Sequence, residues 1–125
     1  MRATKNDLPL EFEDGQSYSR DIEWGDMNVA WEAWPAGMDS TPIFNGLPDN
    51  RCQCPHWGFV IKGQMLIKYD GQEEIINAGE VYYLPPGHIP IFEEDTELIE
   101  FSPKGEYQKT MDVVKKNMET LNNAG

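Results

Sequence analysis

The fold of this chain is decided by residues 63–90, which read GQMLIKYDGQEEIINAGEVYYLPPGHIP. Apolar and polar side chains alternate on both sides of Asp70-Gly71, which is a strong signal for a tight hairpin turn. Gly79 and the run Pro85-Pro86-Gly87 mark two further turns, and the β-prone residues 81–84 lie between them. The segment therefore predicts three short strands joined by tight turns.

The same pattern continues outward in both directions from this segment. Further strands are predicted at residues 8–12, 21–24, 27–34, 59–62, 89–92 and 96–101. After them, apolar residues recur in steps of four, three, four and three, at Tyr107, Met111, Val114, Met118 and Leu121. This period predicts an amphipathic helix over about residues 106–121 that packs on the strands or on a partner chain. Short strands with Gly and Pro between them, followed by one terminal helix, predict an antiparallel sandwich or barrel.

The composition is that of one soluble globular domain spanning residues 1–125. A net charge of -12 argues against nucleic acid and anionic membranes as partners, because both are recognised by clustered Lys and Arg. No stretch is long or apolar enough to span a bilayer, and residues 1–7 lack the apolar core of a secretion signal. The sequence therefore predicts a cytoplasmic protein.

The chain has only two cysteines and two histidines, and three of these side chains lie within five residues, at Cys52, Cys54 and His56. The fourth, His88, follows the turn at residues 84–87. Cysteines two positions apart on a strand have Cα atoms about 6.5–7 Å apart, at or beyond the upper limit for a disulfide. Both are therefore interpreted as free thiols in a reducing compartment.

On a strand, residues two apart share a face, so Cys52, Cys54 and His56 are predicted to point into the barrel together. His88 on a neighbouring strand would complete a set of two thiols and two imidazoles. Such a set suits tetrahedral Zn²⁺, and its sulfur atoms also suit Cu or Fe. The alternative is that the cysteines are small buried apolar residues and that His88 is an exposed histidine at the rim.

Aromatic side chains predict a ligand pocket beside these residues. The candidate lining residues are Trp57, Trp31, Tyr82 and Met65. For the tryptophans, the alternative is a barrel core combined with a dimer face. Tyr82 and Tyr83 have opposite strand parity, so only one of them is predicted to face inward. Glu32 lies among apolar neighbours in a strand, and an outward position in solvent is favoured over a buried acid.

Residues 63–90 resemble the central motif region of a cupin, the small jelly-roll barrel that often holds a metal. The second cupin motif is a glycine, five residues and then Pro-x-Gly, and Gly79 with Pro85-Pro86-Gly87 matches it in full. Residues 59–63 resemble the end of the first motif, and the fifteen residues 64–78 match the short spacer of a minimal bacterial cupin. By this resemblance the chain is identified as a small single-domain cupin of the RmlC-like jelly-roll type with an atypical first motif.

The resemblance implies an all-β fold, with a cupin-type double-stranded β-helix (jelly-roll) barrel over about residues 20–103 followed by the C-terminal α-helix. Cupin metals are usually held by a His-x-His pair and a glutamate in the first motif and by a histidine in the second. Here His56 stands where the glutamate is expected, and Cys52-Gln53-Cys54 lies near the His-x-His position. Pro90 occupies the place of the second-motif histidine, two residues after His88. The usual ligand set therefore does not carry over residue by residue.

The resemblance further implies that the barrel binds a small organic ligand and a divalent transition metal, with Zn, Fe, Mn, Ni or Cu as candidates. One interpretation is a metal-dependent enzyme of the oxygenase, isomerase or lyase type that acts on a small organic molecule. The alternative is a non-catalytic small-molecule binding or sensor protein without a metal, and the sequence does not decide between an enzyme and a binding protein. The resemblance also implies a homodimer that pairs through an outer sheet face.

Overall fold

The computed structural model describes residues 1–124 as ten β-strands followed by one α-helix. The strands are β1 (Leu10–Asp14), β2 (Ser17–Trp24), β3 (Met27–Trp34), β4 (Met38–Asp39), β5 (His56–Lys62), β6 (Gln64–Tyr69), β7 (Gln72–Asn77), β8 (Val81–Leu84), β9 (Ile89–Phe92) and β10 (Thr96–Pro103). The helix α1 spans Lys104–Ala124, and short 3₁₀ turns occur at Lys5–Asp7, Thr41–Phe44 and Pro48–Asn50. No helix in this part of the chain is long and apolar enough to cross a membrane.

The strands form two antiparallel sheets that face each other. One sheet has six strands in the order β1-β2-β3-β10-β5-β8, and the other has four in the order β4-β9-β6-β7. From β3 onward, every connection between strands except the β6–β7 hairpin crosses from one sheet to the other, which is the alternation of a jelly roll. The predicted all-β jelly-roll barrel with a C-terminal helix is confirmed.

The segment that predicts the fold is divided between the two sheets. β6 and β7 form the predicted hairpin around Asp70-Gly71, and Gly71 takes a φ of +79°, which favours glycine. β8 comes next along the chain but pairs with β5 in the six-stranded sheet rather than with β7. The turn at Gly79 makes this crossing, and its N–H donates to the carbonyl oxygen of Val60 at 2.8 Å.

The short strand predicted at residues 8–12 is present as β1, but the barrel begins earlier than the resemblance implied and the helix begins earlier than its period predicted. β1 and β2 carry the six-stranded sheet back to Leu10, whereas the resemblance implied a barrel from about residue 20. At the other end, α1 begins at Lys104 directly after β10, ahead of the predicted helix at about residue 106. The strand β10 therefore leads into the helix without a loop, which fixes where the helix starts relative to the sheet.

Helix α1 packs on its own barrel. Val114 is buried against Ile43 and Phe44, which lie in the 3₁₀ turn between β4 and β5. Asn117 Nδ2 donates to the carbonyl oxygens of Ile43 at 2.8 Å and Asn45 at 2.7 Å. These contacts attach the helix to the long segment before β5. The sequence predicted that the helix packs either on the strands or on a partner chain, and in the structure it packs on the barrel.

The main core lies between the two sheets. It is formed by the buried side chains of Val60, Met65, Ile67, Ile76, Tyr82, Leu84, Phe92 and Leu98. Gly58 on β5 faces this core, and a Cβ atom there would lie 2.5 Å from the Tyr82 ring and closer still to the carbonyl oxygen of Ile99. Because Gly58 has no side chain, the Tyr82 hydroxyl can pass it and donate to Glu100 Oε1 at 2.8 Å.

Replacing Gly58 with alanine is expected to lower the free energy of unfolding by about 1–3 kcal/mol, because the added Cβ overlaps backbone and ring atoms of a packed core. Urea denaturation measures the change. Gly105→Ala is the matched control, since a Cβ there meets nothing within 4 Å. The control is expected to leave stability unchanged or to raise it by up to about 1 kcal/mol. Equal unfolding free energies for G58A and the natural chain would contradict this packing.

Candidate metal and ligand site

A cavity of about 680 Å³ lies between the two sheets and is bordered on one side by α1. Apolar side chains from the core and from the helix line it, among them Met65, Phe92, Leu98, Met111 and Val114. Polar side chains of the barrel interior also line it, among them Asp21, Glu32, Cys52, His56, His88 and Glu100. The cavity has the size and the mixed lining that suit a small organic molecule.

Three of the predicted ligand residues meet at one place in this cavity. Cys52, His56 and His88 each offer a donor atom, and these atoms lie within 4.8 Å of one another. Cys52 Sγ is 3.5 Å from His56 Nε2, and the two imidazole centroids are 5.0 Å apart. All three residues are buried. A thiol and two imidazoles in this arrangement form a possible three-ligand metal site.

The backbone brings Cys52 and His88 together from distant parts of the chain. They form an isolated antiparallel bridge, in which Cys52 N–H donates to the His88 carbonyl oxygen at 3.1 Å. His56 comes from β5, where it pairs with Leu84 of β8. The site therefore depends on the Pro-Pro-Gly turn that separates Leu84 from His88, because this turn sets how the second histidine approaches the first.

The hydrogen bonds of His88 leave one of its nitrogens without a partner. His88 Nδ1 donates to the carbonyl oxygen of Pro85 at 2.7 Å, so in the neutral ring the lone pair is on Nε2. His88 Nε2 is buried and has no hydrogen-bond partner within residues 1–124. An unpartnered buried nitrogen beside a thiol and a second imidazole is the position that a metal ion would satisfy.

Burial keeps both imidazoles neutral. It lowers the pKa of His56 to about 3, and together with the neighbouring His56 ring it lowers the pKa of His88 to about 4. Glu100 Oε2 lies 3.6 Å from His56 Nδ1, but an ion pair would need a protonated imidazole, which burial disfavours. Burial also raises the pKa of the Cys52 thiol to about 12. A metal would therefore meet two neutral imidazoles and would displace the Cys52 proton.

Cys54 lies outside this group of donor atoms. The prediction that it shares a strand face with Cys52 and His56 is wrong, because β5 begins only at His56 and the residues before it are not in a regular strand. The Cys54 thiol donates to the carbonyl oxygen of Pro55 at 3.5 Å. Its side chain is fully buried among apolar residues under the helix, as the alternative interpretation of the cysteines expected.

The predicted ligand pocket also needs correction. Of its four candidate residues, Met65 lines the cavity, whereas Trp57 and Trp31 do not. Trp57 is 44% exposed and stacks on Tyr83 on the outer face of the six-stranded sheet. Tyr82 faces inward, in agreement with the parity argument that only one of the two tyrosines can do so, and it reaches the site through Glu100. Strand parity could not orient Trp31, because both faces of its strand carry apolar residues. Trp57 directly follows the inward His56 on β5, so parity places it on the outer face.

Glu32 and Glu100 are the site residues that sequence reasoning missed. Glu32 was expected in solvent, but it lines the cavity, where Trp34 Nε1 donates to its Oε1 at 2.9 Å. Burial raises the pKa of Glu32 well above its ordinary value, and Glu100 and Asp21 add to the increase. Burial also raises the pKa of Glu100. Strand parity could have identified Glu100, because it lies two residues after the core residue Leu98 in the same predicted strand and therefore shares its inward face.

Comparison with solved structures shows that the sheets are arranged as in cupins. An RmlC-like cupin from Shewanella frigidimarina aligns with a TM-score of 0.59 at 13% identity, over 82% of this chain and 88% of that chain. A cupin-2 domain protein from the same organism gives a TM-score of 0.52 at 20% identity, over 74% of this chain and 84% of that chain. The polyketide cyclase RemF from Streptomyces resistomycificus gives 0.61 at 15% identity, over 83% of this chain and 79% of that chain.

At these identities the likeness shows the fold alone, and the fold is that of a small cupin, as the resemblance implied. No protein-family model and no curated protein matches the sequence. The function must therefore be argued from the side chains in the cavity rather than from a relative.

Glu32→Gln is expected to raise the free energy of unfolding at pH 7 and to leave it nearly unchanged at pH 4. The folded chain binds the Glu32 proton more tightly than the unfolded chain, where the group has its ordinary pKa of 4.5, so the stability that this group contributes is lost as the pH rises above that value. Glutamine resembles the protonated acid and still accepts from Trp34. Urea denaturation at both pH values measures the difference, and each tenfold change in proton affinity corresponds to about 1.4 kcal/mol.

The control for this prediction is Glu13→Gln, an exposed position on the edge strand β1. Its effect on the free energy of unfolding is expected to be the same at both pH values. If E32Q and the natural chain had the same free energy of unfolding at pH 7, burial of Glu32 would not lower the stability of the folded chain, and the prediction would be wrong.

Proposed function

We propose that the barrel binds one divalent transition metal through Cys52 Sγ, His56 Nε2 and His88 Nε2 and exposes it to a small organic ligand in the cavity. Two observations carry the proposal: donor atoms of Cys52, His56 and His88 lie within 4.8 Å of one another, and His88 Nε2 is buried without a hydrogen-bond partner among the described residues. One thiolate and two imidazoles favour the borderline-soft metals Zn, Fe, Ni and Cu over Mn. Three protein ligands leave a coordination position for the ligand, as catalytic zinc sites do.

The arrangement best supports a metal-dependent enzyme that acts on a small organic molecule, of the oxygenase, isomerase or lyase type. When bound, the metal would supply Lewis-acid or redox chemistry at the end of the cavity. Burial raises the pKa of Glu32 and so favours its protonated form, from which it can donate to a bound ligand. A polyketide cyclase has the same fold at low identity, so the barrel can hold a catalytic site for an organic substrate.

The second candidate function is ligand binding or sensing without a metal. Cys52 Sγ and His56 Nε2 are 3.5 Å apart and can partner each other when no metal is bound.

For both candidate functions the thiol of Cys52 must remain reduced, so we propose a reducing compartment such as the cytoplasm. The acidic cavity and the net charge of -12 support a ligand that is neither nucleic acid nor membrane.

Protein purified without added metal is expected to contain about one transition metal per chain by elemental analysis, the number of ions that one three-ligand site holds. Cys52→Ser, His56→Ala and His88→Ala are each expected to lose most of it, because each removes a donor atom. Cys54→Ser is the matched control and is expected to keep the metal, since Cys54 lies outside the donor group.

Adding the metal to metal-free protein provides a second measurement. A metal at about 100 times its Kd is expected to stabilise the natural chain by about 2.7 kcal/mol in thermal unfolding. If the purified protein contains no metal and Zn²⁺, Fe²⁺, Ni²⁺ and Cu²⁺ all fail to stabilise it, the metal proposal fails and the metal-free binding function is favoured.

We also propose that two copies of the chain pair through the outer face of the six-stranded sheet. The part of this face formed by β5, β8 and β10 carries five exposed apolar side chains, namely Trp57, Phe59, Val81, Tyr83 and Phe101. The chain has 22 acidic and 10 basic residues, so two copies repel each other over most of their surfaces. This apolar part of the face is where the repulsion is weakest and where two copies would bury the most apolar area.

Multi-angle light scattering is expected to give about twice the chain mass of 14.3 kDa for the natural protein. Val81→Lys is expected to give monomers, because Val81 is 80% exposed on this face and the substitution would place a charge in the interface. Ile75→Lys, an exposed apolar position on β7 in the other sheet, is the control and is expected to remain dimeric. A monomeric natural protein at all concentrations would exclude this pairing.

A further inference from the structure

Behind the candidate site, Ser102 contacts the His56 ring on the side away from Cys52. Ser102 is 1% exposed near the end of β10. Its Oγ lies 2.6 Å from His56 Nδ1, whereas Cys52 Sγ lies 3.5 Å from His56 Nε2. Glu100 Oε2, at 3.6 Å from the same Nδ1, is beyond hydrogen-bond distance. The serine therefore holds the nitrogen that does not face the donor group.

The buried thiol of Cys54 lies near Ser102, where it can accept a hydrogen bond from the Ser102 hydroxyl. Burial, with a smaller contribution from Glu100, raises the pKa of this thiol to about 12, and the hydrogen bond that Ser102 donates acts in the opposite direction. The Cys54 thiol donates in turn to the carbonyl oxygen of Pro55. Each group can thus donate to the next, from His56 Nδ1 through Ser102 and Cys54 to a carbonyl that only accepts.

The direction of these hydrogen bonds decides which nitrogen of His56 carries the proton. A neutral imidazole has one N–H and one lone pair. When the Ser102 hydrogen points to Cys54, Oγ accepts from Nδ1–H, and the His56 lone pair is on Nε2. When that hydrogen points to His56, the proton is on Nε2, and this nitrogen cannot bind a cation.

We propose that Ser102 is a positioning residue that keeps the Nε2 lone pair of His56 directed at a bound divalent metal, and that Cys54 acts through Ser102 rather than as a ligand. The inference rests on the proposed metal site. At His88, the carbonyl oxygen of Pro85 has the same role and permits only the Nδ1–H tautomer. At His56 the tautomer is set by the side chains of Ser102 and Cys54 rather than by a backbone carbonyl, so a substitution can remove this control.

Zn²⁺ affinity, measured by competition with a chelator on the full-length protein, is the first test. Ser102→Ala is expected to bind Zn²⁺ about 10- to 100-fold more weakly, the range found when an outer partner of a ligating histidine is removed. Ser102→Thr keeps the hydroxyl and is expected to restore most of the affinity. Cys54→Ser keeps both a donor and an acceptor and is expected to bind like the natural chain, whereas Cys54→Ala is expected to bind more weakly.

The tautomer of each histidine, read by long-range ¹H–¹⁵N NMR on metal-free protein at pH 7, is the second test. His56 in the natural chain is expected in the Nδ1–H form, and Ser102→Ala is expected to populate the Nε2–H form. His88 is expected to stay in the Nδ1–H form in both proteins and serves as the internal reference. A merely structural serine would not move the His56 tautomer.

Two results would overturn the positioning role while leaving the metal site intact. One is a Ser102→Ala protein with the Zn²⁺ affinity of the natural chain, and the other is a natural chain whose His56 is in the Nε2–H form. The second result needs only the natural chain, so it decides the question even if Ser102→Ala does not fold. A natural chain that binds no metal would instead overturn the proposed function and this inference with it.

Discussion

The antiparallel bridge between Cys52 and His88 is the contact on which the candidate site depends. The Cys52 carbonyl oxygen accepts from Gly87 N–H at 2.8 Å, and Cys52 N–H donates to the His88 carbonyl oxygen at 3.1 Å. The bridge joins the end of the long segment after β4 to the turn before β9. Gly87 takes a φ of +97° there, which few other residues tolerate. The glycine that fits the second cupin motif is thus also what lets the backbone present a thiol to a histidine.

The buried interior acts in opposite directions on the acids and the bases that share it. It lowers the pKa of His56 and His88 and raises that of Cys52 and Glu32, so that each neutral form is favoured. Among the cavity-lining residues within the described chain, Lys115, which is exposed on α1, is the only lysine or arginine. The interior therefore holds several titratable groups without a counter-charge. A dication that binds at Cys52, His56 and His88 would meet donor atoms that are neutral or can lose a proton, and Lys115 is the one lysine or arginine that lines the same cavity within the described chain.

The fold could be predicted because turn residues determine it. Asp70-Gly71 and Gly79 fix where strands end, and the motif through Gly87 has little freedom of spacing. The pairing of β8 with β5 was not predictable in the same way, since sheet neighbours are set by packing between distant segments. For the site, the cluster of Cys and His located the place, but Glu32 was assigned to the wrong face. Its strand is apolar on both sides, so alternation carried no information about direction.

The error over Cys54 has a local cause in Pro55. Proline has no N–H to donate, so it disfavours regular strand pairing before His56, and β5 begins at His56. Without a regular strand, the spacing of Cys52 and Cys54 no longer places them on one face. One thiol lies on the Nε2 side of His56, and the other lies behind Ser102 on the Nδ1 side. Two cysteines that look equivalent in the sequence thus occupy opposite sides of one imidazole, and only one of them can reach what the imidazole binds.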